Sequence, residues 1–333
     1  MYKESKNNWT NWHHLIHKFI LNNKDFIPDN IQLLISVSGG QDSMALLNLL
    51  DDIKDQHEWV INVWHGDHKW HDKSSFYANE LEKFCKKKNI IFYCDSARYQ
   101  DVNNEENARN WRYKKLFETA QKISNKNNNK TEVYIATGHT STDNTETFLM
   151  HLARGSNLKG LMGVPRKRIL NKKYYLVRPI LIFSRKDTSS ICNVMDVPFW
   201  EDPTNLDLTL KRNLIRAKII YNLEKIYPRC SIRINNFMNR MSHLNQERSD
   251  LADLALLACT NENIINRQMI NDICKEARST ILNLFLKKNF HKQFSSINID
   301  MISEKIFHKK NGQIDLPNGF KIVWDEDYIF IKD

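Results

Sequence analysis

The stretch Ser38-Gly39-Gly40-Gln41-Asp42-Ser43 places two adjacent glycines, two hydroxyls and a carboxylate together in a 333-residue chain with only nine glycines. Gly39 and Gly40 permit a sharp turn and let oxygens approach the backbone, and Ser38 and Ser43 add hydroxyl donors. The apolar run Leu33–Val37 enters the stretch, and the series Met44, Ala45, Leu47 and Leu50 leaves it with helical spacing. It therefore lies between a strand and a helix start, where unpaired N–H groups and the helix dipole favour an anion, phosphate above all. The pattern is neither GxxxxGKS/T, which needs a lysine absent here, nor GxGxxG. A plain strand–helix turn with Asp42 as N-cap is the other reading of the same residues.

Further chemistry-bearing residues follow. Arg109 and Arg112 stand one helical turn apart, so both can address one anion, or both can join a solvated face with Glu105 and Glu106. Asp143 and Glu146 have the spacing of a capping-box pair at a helix start. His65, Asp67, His68, His71 and Asp72 are metal-ligand types, but after a strand the positions i, i+3 and i+6 scatter rather than converge, which argues against zinc. The six cysteines are far apart with no CxxC pair, which fits reduced thiols in the cytoplasm and not a disulfide frame, a thiolate metal site or a thiol relay.

These residues need elements to position them. Apolar runs at Ile31–Val37, Trp59–Trp64, Ile90–Cys94, Glu132–Thr137 and Tyr174–Ile180 alternate with helical patterns at Ser43–Lys54, Ser74–Lys88, Glu105–Ile123, Asp143–Arg154 and Arg185–Met195. That alternation predicts an α/β fold: a parallel sheet with helices on both faces. Ser124–Lys130 is polar and low in complexity, as befits a solvated loop. Residues from about 205 to 310 read as mostly helix. The final stretch alternates apolar and polar residues around Pro317-Asn318-Gly319 and Asp325-Glu326-Asp327, which predicts a small antiparallel meander. The expected organisation is a catalytic domain at 1–220, a helical linker at 221–260, and a small α+β domain at 261–333.

The net charge of +10, from 49 Lys and Arg against 39 Asp and Glu, suits a polyanionic partner such as nucleic acid, although a lysine-rich surface gives the same sum. No apolar run approaches the roughly 20 residues that span a bilayer. The N-terminal MYKESKNNWTNWHH lacks the apolar stretch of a signal peptide.

SGGQDS resembles the PP-loop of the N-type ATP pyrophosphatases, which implies adenylation with release of pyrophosphate. Five further segments, in order, resemble motifs of the tRNA(Ile)-lysidine synthetase family: His65–His68 (HGDH), Glu106–Tyr113 (ENARNWRY), Gly138–Pro165 (GHTSTDNTET to GLMGVP), Arg178–Leu181 (RPIL) and Trp200–Arg216 (WEDPTNLDLTLKRNLIR). The resemblance covers about residues 30 to 220; beyond, it rests on length and architecture, those of a short form of the enzyme.

The resemblance implies ligation of free lysine to C2 of the wobble cytidine in a CAU-anticodon tRNA, with ATP and Mg²⁺ as cofactors. The implied catalytic residues are Asp42, Asp143, Glu146, Arg109 and Arg112. ATP falls to Ser38, Gly39, Gly40, Gln41, Asp42, Ser43, Asp67, His68 and His139, Mg²⁺ to Asp42 and Asp143, and the lysine to Asp143 and Glu146. For tRNA, Arg166, Lys167 and Arg168 form a basic loop with Lys172 and Lys173. Arg212, Arg216, Arg229 and Arg233 are further candidates, the last two sharing a helix face with Arg240 beside a stripe of Phe237, Met241 and Leu244. The chain departs from the family pattern at Thr140 and Thr142, which stand where a histidine and an aspartate are usual. Lys69 and His71 likewise replace a glycine and an arginine. A tRNA thiolase of the same superfamily would want a CxxC pair, an amidotransferase a glutaminase domain or N-terminal nucleophile, and a non-catalytic nucleotide- or RNA-binding protein an eroded loop. None of these fits. The protein is expected in the cytoplasm, as a monomer or homodimer.

Overall fold

The computed structural model describes residues 9–69, 73–126, 131–200, 207–261, 263–290, 295–316 and 319–332. The chain divides into two compact units, Met1–Asn239 and Arg240–Asp333.

Among its described residues the first unit is built on six strands: β1 (Gln32–Ser36), β2 (Val60–Asp67), β3 (Ile91–Ser96), β4 (Val133–Thr137), β5 (Lys167–Ile169) and β6 (Tyr174–Val177). Their order is β3-β2-β1-β4-β6-β5, and all pair in parallel except β5 with β6. Alternate side chains of each strand enter different cores, as the pleat requires. Leu33 and Ile35 pack with α1 (Asn11–Asn22), α2 (Gln41–Ile53), α3 (Ser74–Lys87) and α7 (Arg185–Val194). Leu34, Val133 and Ile135 pack on the opposite face against Trp111, Leu116 and Ala120 of α4 (Glu105–Lys126). Burying such a side chain stabilises the fold by roughly 1.5–3 kcal/mol. β1 and β4 are neighbours whose connections leave in opposite directions, so their carboxyl ends open a crevice at the switch point, the usual ligand edge of such sheets.

The strand–helix alternation expected from sequence is present, with local differences. Helix α1 was not foreseen; it is anchored by buried Ile16 and Ile20 and by a His13 Nε2–Asp52 contact of 3.1 Å. Tyr174–Ile180 is only half strand, because Pro179 lacks an N–H to donate and opens a 3₁₀ turn, Pro179–Ile182. The basic loop is in fact a β5–β6 hairpin. Helix α5 (Ser141–Ala153) starts two residues before Asp143, because Thr140 is its N-cap. After α6 (Leu158–Leu161) and α7, the chain continues through α8 (Lys211–Leu214), a π-helical turn at Ile215–Ile220, α9 (Tyr221–Ile226) and the start of α10 (Cys230–Cys259). In α10 the stripe of Phe237 and Leu244 is exposed, and Ser231, Asn235 and Met238 are buried instead. Asn235 explains this: its amide donates to Leu181 O at 2.9 Å and accepts from Asn144 at 2.8 Å.

The second unit holds an antiparallel sheet, β7 (Thr260–Asn261), β8 (Ile264–Asn266), β9 (Gly312–Asp315), β10 (Lys321–Trp324) and β11 (Tyr328–Lys332), in the order β7-β8-β11-β10-β9. The terminal meander was legible; β7 and β8 interrupt a region read as helix. Ile265, Ile322 and Ile329 pack on α12 (Lys275–Phe290) and α13 (Ser296–His308), and α11 (Arg267–Asn271) follows β8. The Arg267 guanidinium donates to the carbonyls of Ile306, Lys309, Lys310 and Asp325, pinning one edge of the unit. Asp325 Oδ1 accepts from Asp327 N and Tyr328 N, which closes the β10–β11 turn. Pro317 and Asn318 lie outside the described residues. No helix among the described residues is long and apolar enough to cross a membrane.

Candidate active site

A cleft of about 640 Å³ opens at the carboxyl ends of β1, β2 and β4. Its floor is the Ser38–Ser43 loop, which joins β1 to α2. Ser43 Oγ donates to Gly40 O (2.9 Å) and lies 3.2 Å from the Ser38 hydroxyl, and Gly40 N–H donates to Ser38 Oγ (3.3 Å). The N-cap of α2 is Gly40, so Asp42 is free to face the cleft and does not cap. Gly39 adopts φ +86°, and its Cα lies under the Trp200 ring: a Cβ there would meet Trp200 Cε3 at 2.8 Å. Trp200 N–H donates to Gly39 O at 2.9 Å. A further glycine packs on this floor from outside the loop, since a Cβ on Gly138 would stand 3.0 Å from Ser43 Cα. Gln41 turns its amide away, donating to Arg185 O (2.6 Å) and to Thr188 Oγ1 (2.8 Å).

Asp42 is a strongly perturbed carboxyl of the cleft. Burial, then the Asp143 charge, pushes its pKa up to about 6, against the opposing pull of Arg185 and a Thr188 hydroxyl donor at 2.5 Å. Arg185 Nη1 lies 3.3 Å from Asp42 Oδ2. The other wall carries His139, whose Nδ1 is 3.0 Å from the Thr137 hydroxyl. Burial, with Arg178, Arg212 and Arg112 nearby, lowers His139 to about 4 against the opposing pull of Asp143, so it is neutral at physiological pH. His65 donates from Nδ1 to Val37 O at 2.8 Å, and burial lowers its pKa. Asp67 accepts from Lys69 N–H at 2.9 Å, which shapes the turn after β2, and His68 packs edge-on to Trp111. His71 and Asp72 lie outside the described residues, as do residues 201–206 of the Trp200–Arg216 motif.

Asp143 and Glu146 are held by two arginines that follow in the chain. Arg212 reaches Asp143 Oδ1 (Nη2, 3.1 Å) and Glu146 Oε2 (Nε, 2.5 Å), and Arg216 bonds Glu146 through Nε (2.5 Å) and Nη2 (3.1 Å). Glu146 is fully buried behind the wall, whereas Asp143 lines the cleft. Burial pushes the Asp143 carboxyl up, but Arg212, His139 and two Thr140 hydrogen bonds outweigh it and hold the pKa below the ordinary value. The capping box at this helix is Thr140 with Asp143, not Asp143 with Glu146: Thr140 N–H and Oγ1 each donate to Asp143 Oδ2 at 2.8 Å. Thr142 Oγ1, in turn, accepts from Arg185 N–H at 3.0 Å. Both threonines that depart from the family pattern thus carry structural hydrogen bonds.

Of the paired arginines on α4, Arg112 lines the cleft, where burial lowers its pKa, and Arg109 is exposed over the Tyr113 ring at 5.6 Å. The basic candidates scatter. Arg166 stacks on Phe19 at 4.9 Å, Lys167 reaches the Tyr134 and Tyr175 rings at 4.9 and 4.6 Å, and Arg168 is exposed on β5. Arg229, at φ +64°, precedes α10, so it does not continue the exposed helix position of Arg233. The sequence does not single out Arg185, Thr188, Arg178 or Trp200 individually; the local signal that could have found Arg185 is the Ser184–Asp187 capping box that starts α7.

A parallel sheet with this loop at its switch point defines a nucleotide-binding domain of the PP-loop class, and the PP-loop domain family matches residues 10–223. Such a domain uses ATP. The chain is 54% identical over 328 residues to a tRNA(Ile)-lysidine synthase of Prochlorococcus marinus subsp. pastoris, covering 98% of both chains. It is 32% identical to a chloroplastic tRNA(Ile)-lysidine synthase of Pyropia yezoensis, covering 90% of this chain and 91% of that one. The chain belongs to the tRNA(Ile)-lysidine synthase family. In fold it is similar to the solved U34-tRNA thiolase NcsA of Methanococcus maripaludis, with a TM-score of 0.56 at 17% identity over 69% of this chain and 78% of that one.

Proposed function

We propose that this protein ligates free lysine to C2 of the wobble cytidine in the CAU anticodon of tRNA(Ile), so that the anticodon reads AUA in place of AUG. The cytidine O2 attacks the α-phosphorus of ATP and the electron pair of the broken bond leaves with pyrophosphate. The lysine side-chain ammonium gives a proton to a cleft carboxylate, the free amine attacks C2, and AMP departs with the oxygen and its bonding pair. The observation that carries this reading is one cleft joining an oxyanion-binding loop to a carboxylate wall, Asp42 and Asp143, within a chain matched along almost its whole length by these synthases.

The residues have distinct tasks. Gly40, Ser38 and Ser43 meet the β- and γ-phosphates with N–H and hydroxyl groups pre-arranged by their mutual hydrogen bonds. Neutral His139 can donate or accept at the α-phosphate without adding charge. Asp143 meets the lysine ammonium, and Glu146 acts from behind by holding Arg212 and Arg216 in place. Arg112 and Arg109 address phosphate or tRNA from α4, and Arg168, Arg229 and Arg233 are exposed cations open to tRNA phosphates.

The residues present fit a divalent cation, because Asp42 and Asp143 line one cleft and Asp42, pushed up by burial and then by the Asp143 charge, feels a repulsion that a bound cation would relieve. Mg²⁺ is commonly held by one or two carboxylates plus substrate phosphates. Among the described residues no group of three or more His, Cys, Asp or Glu side chains forms an all-protein metal site. When bound, Mg²⁺ would offset charge on the phosphates.

Incubation with ATP, labelled lysine and a CAU-anticodon tRNA transcript tests the reading. Label on the tRNA with equimolar AMP and pyrophosphate is expected; ADP, or turnover without label transfer, overturns it.

A further inference from the structure

The loop that receives the phosphates contains no lysine, so the charge developing on a departing pyrophosphate needs a cation from another element. Among the described residues four arginines line the cleft. Arg212 and Arg216 are bound to Asp143 and Glu146, and Arg112 lies in the α4 wall. Arg185 is held differently. Its backbone is fixed at both ends: the N–H donates to Thr142 Oγ1 at 3.0 Å, and the carbonyl accepts from the Gln41 amide at 2.6 Å. Among the described residues its guanidinium makes one long polar contact, 3.3 Å, to Asp42 of the loop itself, and the side chain stays 34% exposed. Asp42 has a second donor in Thr188 at 2.5 Å, so it does not depend on Arg185 for its orientation. An anchored backbone with a loosely held cationic head, beside the first turn of α2, is the geometry of an arm that can be handed from a carboxylate to a phosphate.

We propose that Arg185 is a further catalytic residue, whose guanidinium leaves Asp42 when ATP enters and binds the β- and γ-phosphate oxygens. It rests on the adenylation reading above. In the step it serves, the cytidine O2–Pα bond forms and the Pα–O–Pβ bond breaks. The bridging oxygen keeps the electron pair, and Arg185 offsets the added negative charge on the leaving group. Thr142 contributes by being neutral: it fixes the Arg185 backbone without offering the guanidinium a second carboxylate.

Two measurements on Arg185→Ala, with Arg185→Lys as the conservative variant, test this. The first is calorimetric binding of magnesium pyrophosphate without tRNA. Affinity is expected to fall at least tenfold in Arg185→Ala and less in Arg185→Lys. The second is steady-state lysidine formation. The turnover rate is expected to fall roughly 10²–10³-fold, as when one charge-stabilising donor is removed. The KM values for lysine and tRNA should stay within twofold, and free guanidinium should restore part of the Arg185→Ala rate. Pyrophosphate affinity unchanged in Arg185→Ala overturns the proposal, as does a rate loss that guanidinium does not rescue and Arg185→Lys shares in full. If the wild type makes no lysidine yet Arg185→Ala loses pyrophosphate binding, the reaction assignment fails and the role of Arg185 as pyrophosphate ligand stands. Should Arg185→Ala not fold, the pyrophosphate affinity of Arg185→Lys decides: equal to wild type overturns, weakened supports.

Discussion

Arg216 grips Glu146 with two nitrogens, Nε at 2.5 Å and Nη2 at 3.1 Å, on a carboxylate with no exposed surface at all. Since Arg212 bonds the same carboxylate, Glu146 is the buried knot that holds α5 to the segment 211–216. Removing one partner of such a cluster leaves uncompensated charge. Glu146→Ala is therefore expected to lose roughly 3 kcal/mol of stability as well as activity. Urea denaturation checks this; a midpoint equal to wild type would remove Glu146 from this role.

Asp42 should give the cleft a pH signature. Its pKa in the metal-free folded protein is raised from 3.8 to about 6. Between those values the folded state binds the extra proton, so this group stabilises the fold below about pH 4 and the contribution is lost as pH rises through 6. Asp42→Asn should flatten that slope and be more stable than wild type above pH 6, by an amount on the order of 1–3 kcal/mol. Chemical denaturation at pH 4.5 and 7.5 reads it. Activity that needs the ionised carboxylate should fall as pH drops through about 6, and Asp42→Asn should abolish pyrophosphate release.

Gly39→Ala introduces two separate costs, a φ of +86° and a clash with Trp200. Together they are expected to cost about 1–3 kcal/mol and to raise the KM for ATP. Trp200→Ala on the same chain should relieve the clash but not the dihedral strain, so a double-mutant cycle should show partial, not complete, recovery. Strict additivity would mean the ring does not press on the loop.

Thr140→Ala removes the N-cap hydroxyl of α5 and with it one of the two donors to Asp143 Oδ2. The backbone N–H donor survives the substitution, so the loss should be about 1 kcal/mol of stability. A larger effect is expected on the KM for lysine, because Asp143 loses its orientation. An unchanged lysine KM would show that the cap serves the helix alone.

How far the site was legible depended on distance along the chain. The glycine loop, the strand before it and the helix after it are neighbours, and hydrophobic periodicity with turn chemistry marked them directly. Asp67, His68 and His139 could be placed on the same edge because each follows a strand. The Asp143–Glu146 pair misled locally: their spacing is that of a capping box, but the cap is Thr140, whose role emerges only when helix α5 begins two residues earlier. The residues at 166–168 read in sequence as a basic loop for tRNA, yet Arg166 and Lys167 pack on aromatic rings of α1, β4 and β6. A cation's partner on a remote strand leaves no trace in its own neighbourhood.

The sequence by itself determined the layered sheet, the oxyanion loop and the family, because periodicity, glycine placement and motif order are properties of short segments. Only the tertiary structure decided which charges neutralise one another. Arg185 and Asp42 are 143 residues apart, and Arg216 and Glu146 are separated by 70. Coulomb attraction acts through space, so such pairs exist only once the β1–β4 crevice has brought α2, α5, α7 and the 211–216 segment around a single cleft.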